Sequence, residues 1–248
     1  MYHQFKELAG IDITTEAMEV GPTTHYMMGG VRVDGDTQMS TVPGLFAAGE
    51  AAAGLHGANR LGGNSLSDLL VFGKRAGQYA AQFAKENGAA KLDDGQLGGE
   101  AKLALDPFDR TNGEGPYQIQ YELQEKMQAL VGIVRMESEM QEALAMLEQL
   151  KAREAKVGVI GNRQYNNGWH TAMDLRNLLM VSEAIARSAI LRKESRGAQF
   201  REDYPNKDAE WGKYNLITRQ GASGEMIVEK RPVMEQTGEM MQIVEEMK

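Results

Sequence analysis

The sequence predicts a mixed fold, in which an α/β region is followed by an all-α region and a small C-terminal β-hairpin. More than half of the 28 glycines lie between Gly29 and Gly99, among short apolar runs and one long helical pattern. From Pro116 onward, apolar residues recur at helical spacing in three successive stretches. Further on, two extended stretches, residues 214–219 and 225–231, flank a Gly-Ala-Ser-Gly turn and predict the hairpin.

Composition narrows the class of protein. The 248 residues can form one large domain or two small ones, and 42% of them are hydrophobic, which is enough for a core. The chain has no cysteine, so thiolate-ligated zinc and iron–sulfur clusters are excluded, and we predict no metal site. The net charge of -8 argues against nucleic-acid binding. No apolar run approaches the length of a membrane span, so we expect no direct membrane insertion.

The N-terminal part of the chain predicts short strands and one helix. Residues 1–24 predict the tail of a preceding unit. A hairpin is predicted over residues 31–41 and a short apolar strand over residues 44–48. A helix is predicted from Ser65 to about Asn87, with Gly88 as its stop.

The start of that helix carries the most informative residues. Arg60 offers a planar fork of donors that matches a carboxylate, and a Gly-Gly pair follows it. Asn64 and Ser65 are good N-cap residues, and Asp68 stands at the capping-box spacing from Ser65. Free N–H groups at a helix start suit an anionic or electron-rich group. The stretch predicts either an anion-binding loop or a tight loop with a solvated arginine.

The C-terminal part has a different character. Residues 89–100 are rich in Gly and Asp and predict a linker. Helical patterns then begin at Pro116, continue over residues 140–150, and recur from about Trp169 to Glu194. Three amphipathic helices of this kind predict an antiparallel bundle.

Three motifs in the first part of the chain define a resemblance. They are HYMMGG at residues 25–30, PGLFAAGE at residues 43–50 and HGANRLGGNSLSDLLVFG at residues 56–73. Together they closely resemble the flavoprotein subunit of succinate dehydrogenase and fumarate reductase. The similarity continues into ESRG at residues 194–197 and REDYP at residues 201–205, so it covers most of the chain.

The resemblance implies that the chain begins in the capping domain that interrupts a FAD-binding domain. It then forms the C-terminal part of that FAD-binding domain. The resemblance assigns residues 1–24 to the tail of a capping domain and residues 25–100 to the C-terminal part of the FAD-binding domain, with its substrate loops. It assigns residues 101–200 to a helical bundle and residues 201–248 to a C-terminal extension with the hairpin. The glycine-rich dinucleotide loop of the family is not found in this sequence. We therefore expect the chain to be the C-terminal portion of a longer polypeptide.

The resemblance also implies a cofactor, a substrate class and site residues. His25 and Arg60 match the residues with which the family binds the carboxylates of a small dicarboxylate substrate. Glu50 matches the glutamate that binds FAD, and Ser65 and Leu66 match residues that contact the flavin ring. No catalytic residue is assigned, because the family's proton-shuttle arginine and its flavin-linking histidine precede this segment. We expect the chain alone to be inactive.

The implied reaction is the interconversion of succinate and fumarate by hydride transfer to or from FAD. Electrons would be exchanged with a quinone pool through an iron–sulfur subunit, with membrane anchor subunits beyond it. The implied location is the cytoplasmic face of a prokaryotic cell membrane, with peripheral attachment through these partners. The alternatives are an L-aspartate oxidase-like flavoenzyme and a non-catalytic fragment that docks a partner subunit.

Two interpretations remain open for a few residues. Arg196 and Arg201 belong either to an interface near the site or to a structural ion-pair cluster with the acids of residues 194–203. His56 either touches substrate or shapes its loop. Gln199 stands where many relatives have histidine, which argues against a catalytic role at that position.

Overall fold

The chain forms two compact units, residues 1–89 and 90–248. The computed structural model describes residues 2–19, 21, 25–110, 112–235 and 237–246. Helices and small sheets are both present, which confirms the predicted mixed fold at this level. Residues 1, 20 and 22–24 of the predicted capping-domain tail lie outside the described residues.

The first unit is organised around one long helix. A short helix, α1, spans Tyr2–Ala9, and the long helix, α2, spans Asn64–Asn87. Gly88 ends α2, as predicted, and donates its N–H to the carbonyl of Ala84 at 2.9 Å. The loops pack on one face of α2, where the ring centres of Phe46 and Phe83 lie 6.2 Å apart.

The predicted capping box at the start of α2 is wrong. Gly63 is the N-cap, with a φ of 85°, and no side chain caps the helix. Asn64 and Ser65 lie in the first turn instead. Asp68 is buried, and its carboxylate bonds to His56 rather than to the helix start. Glycine adopts the left-handed entry without strain, and a buried acid requires an internal partner, which here is the imidazole.

The predicted hairpin over residues 31–41 and the strand after it appear only as isolated bridges. Val33 pairs with Ser40, and Met39 pairs with Phe46, both in antiparallel orientation. The chain bends again immediately afterwards, where the Ser40 hydroxyl accepts the N–H of Val42 at 3.1 Å. The second bend prevents either ladder from extending.

The second unit begins with a helix that the sequence did not reveal. Helix α3 spans Asp94–Asp109, so the predicted linker over residues 89–100 is wrong in its second half. Asp93 caps this helix by accepting the N–H of Gln96 at 2.9 Å. Three glycines in the first turns and Pro107 near the end hide the pattern, because both residue types disfavour helix.

Three helices supply the main core of the second unit. Helix α4 spans Pro116–Leu130, α5 spans Glu137–Glu154, and α6 spans Asn167–Leu191, and each contacts the other two. Their buried side chains include Ile119, Leu123, Leu147, Leu150, Leu175 and Leu179. Burial of each such side chain contributes about 1.5–3 kcal/mol, so this cluster stabilises the unit substantially.

Two small sheets and a last helix complete the second unit. Strand β1, Val134–Arg135, pairs in parallel with β2, Phe200–Arg201. Strand β3, Tyr214–Gln220, pairs in antiparallel orientation with β4, Met226–Pro232. Helix α7 spans Gly238–Glu246. Among the residues described, no helix is long and apolar enough to cross a membrane.

Candidate functional site

A backbone bridge in the first unit joins the HYMMGG motif to the AGE motif. Val31 donates its N–H to the carbonyl of Ala51 at 2.8 Å, and Ala53 donates to the carbonyl of Val31 at 2.9 Å. Gly30 makes this approach possible, because a Cβ at that position would lie 2.3 Å from the carbonyl oxygen of Ala51. Its φ of 136° also excludes ordinary side chains. The two motifs are therefore held together by the backbone.

Glu50 adds a side-chain link between the same motifs. Its Oε1 accepts the backbone N–H of Met27 at 2.8 Å. The residue is exposed, and its second oxygen bonds to no other residue that the structure describes. That free oxygen can accept a ligand hydroxyl, as expected for a glutamate that binds the ribose of a dinucleotide.

Arg60 lies against the ring of Tyr26. The guanidinium carbon is 4.6 Å from the ring centre, which is a cation–π contact. Nη1 donates to the carbonyl of Leu61 at 3.2 Å, and Nε is buried without a hydrogen-bond partner. No carboxylate in the described part of the chain pairs with Arg60. The remaining donors of its fork are therefore free for an anion.

His56 and Asp68 form a buried pair beside this contact. The distance from His56 Nε2 to Asp68 Oδ2 is 3.1 Å, and the two side chains are 11% and 4% exposed. The His56 ring meets the Tyr26 ring edge-on, with 5.4 Å between the ring centres. His56 thus shapes its loop through two contacts with the protein. Its other predicted role, contact with substrate, stays a prediction.

Tyr26 is the centre of this group and is protonated at neutral pH. Burial of the phenol, followed by the negative charges of Asp68 and Glu50, raises the pKa of Tyr26. Its hydroxyl oxygen is buried and makes no hydrogen bond of normal geometry to a described residue, but it lies close to the carboxylate of Asp68. The ring, rather than the hydroxyl, therefore makes the contacts that place Arg60 and His56.

The other predicted site residues lie on the same unit. His25 immediately precedes Tyr26 and is exposed, with no hydrogen bond to a described residue. Ser65 and Leu66 lie in the first turn of α2, and the Leu66 side chain is 68% exposed. No side chain caps this turn, and although the Asn64 N–H bonds to the Leu61 carbonyl at 3.2 Å, the N–H groups that follow are open to a ligand. Glu50 and this turn thus fit a dinucleotide cofactor.

Sequence reasoning missed the contributions of Tyr26 and Asp68. A signal for Asp68 was present, because it falls at helical spacing with the partly buried residues of α2, which are Phe72, Ala76, Ala80 and Phe83. An acid on the apolar face of a helix requires an internal partner. Tyr26 had no comparable signal, since its neighbours come from distant parts of the sequence.

In the second unit, Arg196 and Arg201 form ion pairs. Arg196 binds both oxygens of Glu194, at 2.8 and 3.0 Å. Arg201 is fully buried and binds Asp203 through Nε and Nη2, at 2.7 and 2.5 Å, and Glu137 at 3.2 Å. These contacts match the structural interpretation of both arginines.

Gln199 also has a structural role. Its amide nitrogen donates to the carbonyls of Ala189 and Arg192, at 3.2 and 3.3 Å. Its amide oxygen accepts from Arg135 at 2.5 Å. The side chain therefore links the end of α6 to β1.

Comparison with known proteins gives relatives along most of the chain. The succinate dehydrogenase flavoprotein subunit of Coxiella burnetii is 36% identical over 229 residues, which is 87% of this chain and 39% of that protein. The 8-methylmenaquinol:fumarate reductase flavoprotein subunit of Wolinella succinogenes is 38% identical, over 84% of this chain and 35% of that protein.

A solved structure agrees with these relatives. The Sdh1 complex of Mycobacterium smegmatis in the apo form matches with a TM-score of 0.86 and 50% identity. The match covers 95% of this chain and 40% of that chain. The present chain thus spans about two fifths of the length of the proteins that it matches.

Family models match both units. A model described as "FAD binding domain" matches residues 1–66, and one described as "Fumarate reductase flavoprotein C-term" matches residues 120–245. These matches therefore place the chain in the class of FAD-binding flavoproteins. More specifically, the chain belongs to the flavoprotein family of succinate dehydrogenase and fumarate reductase.

Proposed function

We propose that this chain is the C-terminal part of a flavoprotein subunit that interconverts succinate and fumarate. The observation that carries the proposal is the state of Arg60, a permanent cation that has no acid partner among the described residues. The cation lies on the ring of Tyr26, the residue that follows His25 in the sequence. A dicarboxylate supplies the negative charge that this cation lacks.

Arg60 and His25 bind the substrate carboxylates in this proposal. The fork of Arg60 holds one carboxylate through parallel donors, which fixes the direction of the carbon chain as well as its position. His25, exposed at the start of the HYMMGG motif, binds a second carboxylate oxygen. A clamp of this kind places the central carbons for reaction without taking part in proton transfer.

Glu50, Ser65 and Leu66 bind FAD in this proposal. Glu50 is tied to Met27 through one oxygen, which leaves the other for a ribose hydroxyl. The uncapped first turn of α2 offers its N–H groups and the Ser65 hydroxyl to the flavin. When bound, FAD supplies the hydride acceptor that no amino-acid side chain provides.

The remaining features of the family are part of the same proposal. The proton-shuttle arginine belongs to a preceding segment, and α4, α5 and α6 form an antiparallel bundle. The assignments of residues 1–24, 25–100, 101–200 and 201–248 follow the family's order of domains. Electrons pass to or from a quinone pool through an iron–sulfur subunit, and membrane anchors hold the assembly at the cytoplasmic face of a prokaryotic membrane.

The direct test uses the full-length protein with bound flavin. Succinate oxidation is followed with an artificial electron acceptor, and fumarate reduction with a reduced dye. L-aspartate in place of succinate tests the L-aspartate oxidase alternative. We expect succinate and fumarate turnover, malonate inhibition and no aspartate oxidation. A flavin-free protein without turnover would instead support the docking fragment.

A further inference from the structure

A chain of three contacts runs from the interior of the first unit to Arg60. Asp68 bonds to His56 at 3.1 Å, and the His56 ring lies 5.4 Å from the Tyr26 ring, measured between centres. The Tyr26 ring then lies 4.6 Å from the guanidinium carbon of Arg60. The Tyr26 ring therefore contacts both the imidazole of His56 and the guanidinium of Arg60.

Asp68, at the buried end of this series of contacts, is the unusual residue. Asp68 is 4% exposed and stands on the partly buried face of α2, where the positions that follow, Phe72, Ala76 and Ala80, are apolar. A buried carboxylate is costly unless it is paired and hydrogen-bonded. His56 is the one ion-pair partner that Asp68 has among the described residues. An apolar residue would fill the same space without this cost, so the acid has a role beyond packing.

The pair defines how the imidazole is held. An ionised carboxylate only accepts hydrogen bonds, so its pairing with His56 places a proton on Nε2 of the imidazole. The bond restricts rotation of the imidazole, which in turn limits the positions open to the Tyr26 ring. Arg60 depends on that ring for its position, because its one hydrogen bond to a described residue is a 3.2 Å bond to the adjacent Leu61 carbonyl.

We propose that Asp68 is a positioning residue for substrate binding, acting through His56 and Tyr26 to hold the guanidinium of Arg60 ready for a carboxylate. This inference rests on the proposed function for the identity of the carboxylate, but the contacts themselves do not depend on it. An arginine held in advance loses less freedom when the dicarboxylate binds. Asp68 would thereby raise affinity without touching the substrate.

The test substitutes the acid by its amide in the full-length flavoprotein. Asp68→Asn keeps the size of the side chain but lets it donate as well as accept, so the orientation of His56 is no longer enforced. We expect the KM for succinate and the inhibition constant of malonate to rise about tenfold, the loss expected when a charged hydrogen bond is removed. Flavin content should stay at the wild-type level. Glu86→Gln, an exposed acid near the end of α2, is the matched control.

A crystal structure of the Asp68→Asn protein gives a readout that does not need turnover. We expect the Arg60 guanidinium to leave the Tyr26 ring, with a separation beyond the roughly 6 Å limit of a cation–π contact. An unchanged stack together with an unchanged malonate constant would overturn the inference. A fall in flavin content and melting temperature at constant KM would overturn it too, because that pattern marks a merely structural acid.

Two further outcomes separate this inference from the proposed function. If the wild-type protein turns over no succinate, the proposed function fails, and the position of Arg60 in the crystal structure alone decides the role of Asp68. If Asp68→Asn does not fold, Tyr26→Leu removes the aromatic ring between His56 and Arg60 without changing the buried acid. The same rise in the malonate constant is then expected, with Glu86→Gln again as the control.

Discussion

The guanidinium carbon of Arg60 lies 4.6 Å from the centre of the Tyr26 ring. This contact joins two motifs that are well separated in the sequence, and it leaves most of the arginine fork unused. An arginine with free donors on an aromatic ring can bind a planar anion, and in the proposed function that anion is a substrate carboxylate. The predictions below test this site and the scaffold that supports it.

Charge alone should not replace Arg60. Lysine keeps the positive charge but lacks the planar fork, so Arg60→Lys in the full-length protein should lower kcat/KM for succinate about tenfold or more. Arg60→Ala should lower it roughly a hundredfold, because a carboxylate is then desolvated without a partner. Steady-state kinetics measures both changes, and absorbance should show unchanged flavin content.

The control for Arg60 is Arg75→Lys. Arg75 is an exposed arginine on α2 that donates to the carbonyl of Gly35 at 3.1 Å, so its loss should leave turnover unchanged. If Arg60→Lys retained near-normal succinate oxidation and malonate inhibition, Arg60 would be a loop residue without a role in binding.

Removal of the Glu50 carboxylate should weaken flavin binding. Glu50→Ala removes the acceptor for a ribose hydroxyl and also the 2.8 Å bond from Met27. A hydrogen bond to a charged group is worth roughly 1.5–3 kcal/mol, so affinity for FAD should fall about tenfold or more. Flavin retained after dilution and gel filtration measures the effect, with Glu86→Ala as the control. Equal retention in the two variants would remove Glu50 from the cofactor site.

A methyl group at Gly30 should break the bridge between the two motifs. The added Cβ would lie 2.3 Å from the Ala51 carbonyl oxygen, and φ is 136°. Gly29 has a similar φ of 120° but open space around it. Backbone strain costs roughly 1–3 kcal/mol in either variant, and only Gly30→Ala adds the clash. Thermal melting of the full-length protein should therefore show a larger loss for Gly30→Ala, and equal losses would mean that the close approach is absent.

Glu194 should make the second unit sensitive to acid. Burial opposes its ionisation, but hydrogen bonds from Arg196, from the Asp208 N–H and from Arg192 outweigh it and lower the pKa of Glu194 to about 2. Its ordinary value is 4.5, so the stabilisation is complete above about pH 4.5 and is lost as pH falls toward 2. The shift corresponds to roughly 3 kcal/mol in the free energy of unfolding.

Urea denaturation at several pH values measures this contribution. Glu194→Gln cannot ionise, so the difference between the wild type and this variant should shrink as pH falls through the stated window. The exposed Glu210, which pairs with Lys213, serves as the control through Glu210→Gln. A difference that stays constant from neutral pH to pH 2 would show that Glu194 does not stabilise the protein through its charge.

Local sequence patterns predicted those elements that depend on residues close together in the sequence. The spacing of apolar residues predicted α4, α5 and α6, because the interior face of a helix is encoded every three or four residues. Gly88 predicted the end of α2, because few other residues adopt its backbone conformation. The predicted linker failed at α3, where a run of glycines and Pro107 conceals a helix that is stabilised by packing.

For the candidate site, too, part could be predicted from the sequence and part depended on the tertiary structure. The sequence by itself determined the chemistry available, namely an arginine, a histidine, a glutamate and a helix start in motifs that resemble one flavoprotein family. Only the tertiary structure decided that Tyr26 lies under Arg60 and that Asp68 bonds to His56 instead of capping its helix. The reason is that these contacts join residues far apart in the chain, and their geometry depends on a backbone approach at Gly30 and on burial, which no local pattern records.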